Sequence, residues 1–252
     1  MADAPPFRML IDFDGTLVEP NVAIILVEEF CPDGRRVAHE IDELLHNGTI
    51  TLREAWQRQV DLLESARLPE MAKWAVENSP LRPGALELVA LLARHRIPTT
   101  IVSGGLDFYI HPILRHAGID LPVLSDSVEP DGRGGLTLLH PYGHPTCRLC
   151  GICKAQVAYP PAPPRLRTAF AGDGSTDRYA AEAADLVFAR RRLKLYCDKA
   201  QIPYYPFEDF FPVIDQLSRW LERGEALPAL RPLGVATSAC PISLSLVGAA
   251  PA

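Results

Sequence analysis

Asp12 and Asp14 stand two residues apart behind the apolar run Met9-Leu10-Ile11, with Gly15 and Thr16 directly after them. Two carboxylates so placed repel each other unless a positive charge sits between them, and a divalent cation with a phosphate is the usual solution. On a continuing strand both side chains would share a face, and Gly15 permits a sharp departure and close approach of a ligand. The plain alternative is a strand followed by an acidic turn that caps a helix. Three further segments extend the phosphate chemistry. Ser103-Gly104-Gly105 offers a hydroxyl and unencumbered backbone N–H groups suited to a phosphate oxygen. Lys154 supplies a cation. Gly172-Asp173-Gly174-Ser175-Thr176-Asp177 adds two carboxylates four residues apart.

Each motif needs a rigid element to aim it. Met9–Ile11, Ile97–Val102 and Arg167–Ala171 read as short buried strands, so that the acidic and hydroxyl motifs fall at strand ends. Asp185–Ala189 and Ile202–Pro206 supply the remaining strands. Leu121–His140 reads as a hairpin turning at Asp131-Gly132 and Gly134-Gly135. Helices are expected over Ala85–His95, Asp107–Ala117 (kinked or shortened by Pro112), Thr176–Ala183 and Asp209–Arg223. Tyr159–Pro164, with four prolines, reads as a rigid loop. Strands alternating with helices imply a parallel sheet with ligands at the strands' carboxyl ends. Asn21–Leu81 is helical in character. Val22–Val27 begins one helix and Arg36–His46 forms another. Thr51–Leu63 shows Leu52, Ala55, Trp56, Gln59, Val60 and Leu63 at helical spacing, with a Thr51/Glu54 capping box.

The four motifs resemble those of the haloacid dehalogenase superfamily of phosphatases. Within it, the chain is similar to the group that contains phosphoserine phosphatase and the methionine-salvage 2-hydroxy-3-keto-5-methylthiopentenyl-1-phosphate phosphatase. The closer likeness, to the second, is carried by Ser103-Gly104-Gly105-Leu106-Asp107-Phe108-Tyr109, by Cys147-Arg148-Leu149-Cys150-Gly151-Ile152-Cys153-Lys154 and by Ala184-Asp185-Leu186-Val187-Phe188-Ala189-Arg190. The implied fold is α/β, a Rossmann-like parallel sheet with helices on both faces and a small helical cap inserted after the first strand. The implied division is a catalytic core of 1–18 and 83–223 and a cap of 19–82, while 224–252, rich in Ala, Pro, Leu and Ser without clear periodicity, reads from its composition as a disordered or loosely attached tail.

The resemblance also implies roles. Asp12 is the nucleophile and Asp14 the general acid and base. Magnesium is held by Asp12, the Asp14 carbonyl and Asp173. Ser103, Gly104 and Thr16 bind the phosphoryl group, Lys154 offsets its charge, and Asp177 orients Lys154 or a metal-bound water. In phosphoserine phosphatases an acidic residue past the first motif and a cap arginine contact the amino-acid head. Asn21 and Gln57 occupy those substrate-binding places here, with Arg53 and Arg58 close by. The reaction the resemblance implies is therefore hydrolysis of a small phosphorylated metabolite through an aspartyl-phosphate, foremost 2-hydroxy-3-keto-5-methylthiopentenyl-1-phosphate of methionine salvage, with phosphoserine or another small phosphoester as the alternative. A non-catalytic phosphate-binding protein is the alternative of another class.

Composition agrees with an enzyme of this size. The 252 residues suffice for one α/β domain with an insertion, and 48% hydrophobic with 22% charged residues is ordinary for a globular protein. A net charge of −6 without a basic stripe argues against nucleic acid. Arg190-Arg191-Arg192 reads as a solvated helix start or an aid to substrate approach. No apolar stretch is long enough to span a bilayer and the first residues lack signal-peptide character, so a cytoplasmic location is expected. Cys147, Cys150 and Cys153 form a C-x2-C-x2-C run. It could hold zinc with His140 or His144 as a further ligand, or serve as buried thiols tuning the loop before Lys154. A zinc-binding interaction module follows from the first of these.

Overall fold

The computed structural model describes residues 6–159 and 166–228. Most of the expected Tyr159–Pro164 loop and the expected tail from residue 229 onward lie outside the described residues. The fold is α/β with a mostly parallel sheet, and the chain divides into two compact units. The first comprises the chain up to Asp12, Arg82–Val102 and everything from Lys154. The second comprises Phe13–Leu81 and Ser103–Cys153. The chain crosses from one to the other at Asp12/Phe13, Leu81/Arg82, Val102/Ser103 and Cys153/Lys154.

In the first unit, β1 (Phe7–Ile11) pairs in parallel with β2 (Thr99–Leu106, whose first half belongs here) and with β5 (Arg167–Gly172). β5 continues to β6 (Leu186–Ala189) and then to the two-residue β7 (Tyr205–Pro206), again in parallel. Ile11 is level with both Ile101 and Ala171, so β1 and β5 end side by side while β2 runs on. Phe7, Met9, Ile11, Phe170 and Phe188 have no exposed surface. Such continuous apolar runs mark a parallel sheet buried on both faces. The helices are α5 (Ala85–Arg94), α7 (Lys154–Ala158), α8 (Arg178–Ala183), α9 (Arg191–Ala200) and α10 (Phe211–Leu221). The expected Thr176–Ala183 helix is split, with a tight turn over Ser175–Asp177 preceding α8. The expected Ile202–Pro206 strand shrinks to β7. Past α10, Arg167 donates to the carbonyl of Pro228 at 2.6 Å.

In the second unit, the backbone leaves the extended conformation directly after Asp12. Phe13–Leu17 forms a turn with Gly15 at φ +76°, so Asp14 sits in a bend and not on a continuing strand. Four helices follow: α1 (Val22–Phe30), α2 (Gly34–His46), α3 (Leu52–Val60) and α4 (Leu68–Asn78). Thr51 and Glu54 form the expected capping box on α3, with Glu54 accepting from the Thr51 N–H at 2.7 Å. Val22, Leu26, Val27, Met71 and Ala75 are buried, and Ile41, Ile50 and Ala55 form a cluster against α2. After β2 comes α6 (Asp107–His116), which runs through Pro112. The hairpin of β3 (Val123–Pro130) and β4 (Leu136–Leu139) is antiparallel, and Asp131 accepts from Arg133 and Gly135 N–H in its turn.

The corner between α1 and α2 depends on the missing side chain of Gly34. A Cβ there would overlap the Val27 carbonyl and the backbone of Glu28. Gly34→Ala should therefore cost about 1–3 kcal/mol in urea unfolding. The exposed neighbour change Arg35→Ala should stay within about 0.5 kcal/mol. Equal costs would show that the corner yields freely.

Candidate active site

The chemistry of the first unit converges on one buried ammonium. Lys154, the first residue of α7, donates to Asp12 Oδ1 at 2.6 Å and to Asp177 Oδ1 at 2.6 Å, and is 4% exposed. Asp12 is placed by the strand ahead of it, since its N–H donates to the Ala171 carbonyl at 2.9 Å. Asp177 turns its other oxygen to the N–H groups of Asp173 and Gly174, both at 2.9 Å. Gly172 makes that possible, because a Cβ would stand 2.6 Å from Asp177 Oδ2. Both Asp177 oxygens are thus engaged, one with Lys154 and the other with the Gly172–Gly174 turn.

Ligand atoms of Asp12, Asp173 and Asp177 lie within 4.8 Å of one another, and all three residues are buried. Burial, and then the charge of Asp177, push the Asp12 carboxyl well above the ordinary range, with Lys154 opposing. Asp173 is pushed up to about 6 by burial and then by Asp177. Burial alone would lower the Lys154 pKa, but the two carboxylates outweigh it and raise it. Lys154 thus balances only part of the cluster's negative charge. Arg190 and Arg191 approach Asp173 no closer than 3.9 Å. An all-carboxylate set short of positive charge fits a hard divalent cation such as magnesium. Arg190 corrects the expectation of a solvated arginine run. It is 4% exposed and sits 3.2 Å from Glu208, because the end of β6 directs it inward.

A second constellation lies within the other unit. Asp14 Oδ1 accepts from the Val22 N–H at 2.8 Å, while Asp14 Oδ2 accepts from the Tyr109 hydroxyl at 3.0 Å and from the Ser103 hydroxyl at 3.3 Å. Ser103 Oγ in turn accepts from the Gly105 N–H at 2.9 Å. Sequence reasoning places Ser103-Gly104-Gly105 beyond the strand, but β2 runs on to Leu106 and carries them. Gly105 is needed for space: a Cβ would overlap the Tyr109 hydroxyl and Asp14 Oδ2. Thr16 is fully buried in the turn after Asp14. Tyr109 was missed as a site residue, although it belongs to the same motif.

The two positions expected to contact the rest of the substrate are occupied locally. Asn21 caps α1, its Oδ1 accepting from the Ile24 N–H at 3.2 Å. Gln57 is exposed and donates to Asp61 at 2.7 Å. The same helix turns Trp56, Gln59 and Val60 toward a small apolar cavity instead. Helical spacing contained that signal, since Gln59 falls among the apolar positions of α3.

The C-x2-C-x2-C run does not gather as a metal centre. Among the described residues, the aspartate trio is the group of three or more His, Cys, Asp or Glu with the spacing of metal ligands. Cys147, Cys150 and Cys153 are thiols and not disulfides. His140 instead lies 3.0 Å from the fully buried Asp126, and His144 Nδ1 accepts from the Cys147 N–H at 3.2 Å. The loop is pinned by its backbone, with the Cys153 N–H donating to Tyr142 at 3.0 Å and the Arg53 N–H to Leu149 at 3.3 Å. Gly151 packs on Asp126 so closely that a Cβ would overlap its carboxylate.

A family model for haloacid dehalogenase-like hydrolases matches residues 9–182. The 2-hydroxy-3-keto-5-methylthiopentenyl-1-phosphate phosphatase of Exiguobacterium sibiricum is 31% identical over 219 residues, covering 83% of this chain and 95% of the relative. The protein of that name from Geobacillus kaustophilus is 31% identical over 212 residues, covering 84% and 95%. Among solved structures, a phospho-aspartyl intermediate analogue of phosphoserine phosphatase superposes with a TM-score of 0.65 at 19% identity, covering 84% of this chain and 99% of that one. At that identity the likeness is one of fold. With the family match spanning more than half of the sequence and all four motifs in place, the chain belongs to the haloacid dehalogenase-like hydrolases, and it is an enzyme of their phosphatase group.

Proposed function

We propose that the protein is a cytoplasmic, magnesium-dependent phosphatase that hydrolyses 2-hydroxy-3-keto-5-methylthiopentenyl-1-phosphate, in methionine salvage, through an aspartyl-phosphate. The observation that carries this reading is the buried Lys154 ammonium bridging Asp12 and Asp177 beside Asp173. The relatives' printed name supplies the substrate. In this reading, residues 1–18 and 83–223 form the catalytic core and 19–82 the substrate-selecting cap.

Asp12 attacks phosphorus through a carboxylate oxygen. The bond from phosphorus to the ester oxygen breaks, and the leaving oxygen takes a proton from Asp14. Water then attacks the phosphorus of the aspartyl-phosphate, Asp14 takes its proton, and inorganic phosphate departs as Asp12 is regenerated. Lys154 holds Asp12 in place and offsets phosphoryl charge. The role of Asp14 rests on its position in the motif and on its local bonds to Val22, Ser103 and Tyr109. Ser103, the Gly104 amide and Thr16 are assigned to the phosphoryl oxygens. Magnesium, held by Asp12, Asp173 and the Asp14 carbonyl, would supply charge neutralisation for the phosphoryl group. Phosphoserine is disfavoured because Asn21 and Gln57, at the places that would meet its charged head, are uncharged and bonded to their own helices.

Two outcomes are expected. In a panel of the methylthiopentenyl ester, phosphoserine, phosphocholine and sugar phosphates, the first should give the highest kcat/KM. Asp12→Asn should lower kcat by about four orders of magnitude or more and Asp14→Asn by about two to four. Turnover that survives Asp12→Asn would remove the covalent mechanism. The second concerns pH. With its pKa raised in the fold to about 6, Asp173 favours the metal-free fold when protonated. That contribution is complete below its unfolded value near 4 and is lost as pH rises through about 6. Asp12 shifts in the same direction. The Tm gained on replacing EDTA by magnesium should therefore be larger at pH 7.5 than at pH 5, with Asp173→Asn raising Tm in EDTA at pH 7.5. A gain that is equal at both pH values would contradict the charge argument.

A further inference from the structure

Arg190 and Arg191 both reach toward one oxygen of Asp173, and a chain that stayed extended would not bring them there together. Arg190 follows β6 in extended backbone, with φ −133° and ψ 171°, and consecutive side chains of an extended chain face opposite ways. Yet Asp173 Oδ2 lies 3.9 Å from Arg190 Nη1 and 3.9 Å from Arg191 Nη1. The alternation is broken at Arg191, whose φ is +44°, in the left-handed region that favours glycine. Neighbouring backbone holds the corner, with the Arg190 N–H donating to the Gly172 carbonyl at 3.2 Å and the Leu193 N–H to the Asp173 carbonyl at 2.9 Å. The two guanidinium groups differ in their surroundings. Arg190 is buried and has Glu208 as a closer partner at 3.2 Å. Arg191 is 58% exposed, and Asp173 is the carboxylate it approaches among the described residues. A half-exposed pair at that distance contributes less than a left-handed arginine costs, so stability does not account for arginine in place of glycine.

We infer that Arg191 is a further binding residue of the phosphoryl site, one that shifts affinity from the cation to the anion. Its charge opposes a divalent cation at Asp173 and attracts the phosphoryl dianion. The inference goes beyond the phosphatase reading and rests on it for the identity of the two ligands. A guanidinium suits the task because it keeps its charge at every working pH and presents several N–H donors to phosphate oxygens. Placed near the carboxylate but open to solvent, it repels one ligand and draws in the other. The site thereby holds its metal less tightly than the carboxylates alone would, and its ester more tightly than the metal alone would.

Two affinities of the full chain test this. One is that of magnesium alone, by calorimetry in phosphate-free buffer, and the other that of inorganic phosphate at saturating magnesium, by phosphorus NMR titration. Arg191→Gln should tighten magnesium about threefold or more and weaken phosphate by a similar factor, opposite signs that loss of folding cannot produce. Arg191→Lys retains the charge and should hold the magnesium affinity within about twofold of wild type. Arg192→Gln, the same change of net charge one residue on, should move both affinities by less than about twofold. Arg191→Gly should shift both as glutamine does, with a Tm in EDTA no lower than wild type because the backbone strain is relieved. An Arg191→Gln variant whose two affinities move together or not at all would overturn the inference. So would an equal effect of Arg192→Gln, or a lowered Tm for Arg191→Gly. Wild-type protein that binds neither ligand would remove the inference together with the magnesium phosphatase reading. If the affinities divide as stated but phosphate esters are not turned over, the hydrolase reading alone fails.

Discussion

A lysine buried between two aspartates is the constraint around which the first unit is organised. Desolvating an ammonium costs several kcal/mol unless its partners are held in good geometry. The sheet provides that geometry in two ways. β1 delivers Asp12 through a backbone bond to Ala171, and the glycine-lined turn after β5 delivers Asp177 with its second oxygen tied to two N–H groups. Removing either carboxylate would leave Lys154 short of a partner. Removing the lysine would leave three acidic groups crowded in a low-dielectric pocket. The arrangement is stable only as a set, brought together from three separate stretches of chain.

Charge imbalance in that set also explains why the site calls for a cation. One lysine faces three carboxylates, and burial first, then the charge of Asp177, holds the Asp12 and Asp173 carboxyls above the ordinary range. The same excess charge that strains the metal-free protein becomes affinity for a divalent ion and, through it, for a phosphate dianion.

Most of the strand framework was legible because buried parallel strands advertise themselves as short apolar runs, and the chemistry follows them closely. What was not legible depended on packing. Ser103-Gly104-Gly105 reads as a turn because glycine usually breaks strands, yet here Gly105 makes room for Tyr109 and Asp14 while the backbone remains extended. Arg190 reads as solvated from its neighbours Arg191 and Arg192, and only the direction of β6 turns it inward. Gln57 and Gln59 are two residues apart on one helix, and their faces differ by about 200°. A register transferred without a structure cannot tell them apart. The cysteine run has metal-like spacing, but the Asp126–His140 contact and the backbone bonds of Tyr142 and Leu149 shape its loop instead.

The four points at which the chain passes between its two units have a consequence for inheritance. Three of them fall beside motif residues: after Asp12, before Ser103 and before Lys154. A unit joined through passive linkers can be exchanged, lengthened or lost with little effect on its neighbour. Here every such junction save Leu81/Arg82 is flush with a motif side chain, so an insertion of even one residue would displace a carboxylate, a hydroxyl or an ammonium. Away from the Asp14, Ser103 and Tyr109 contacts, the helical unit can vary within its own helices and hairpin while its ends stay fixed. New specificities in such a protein must therefore arise by substitution inside the two inserted segments, because recombination at their borders would cut through the chemistry.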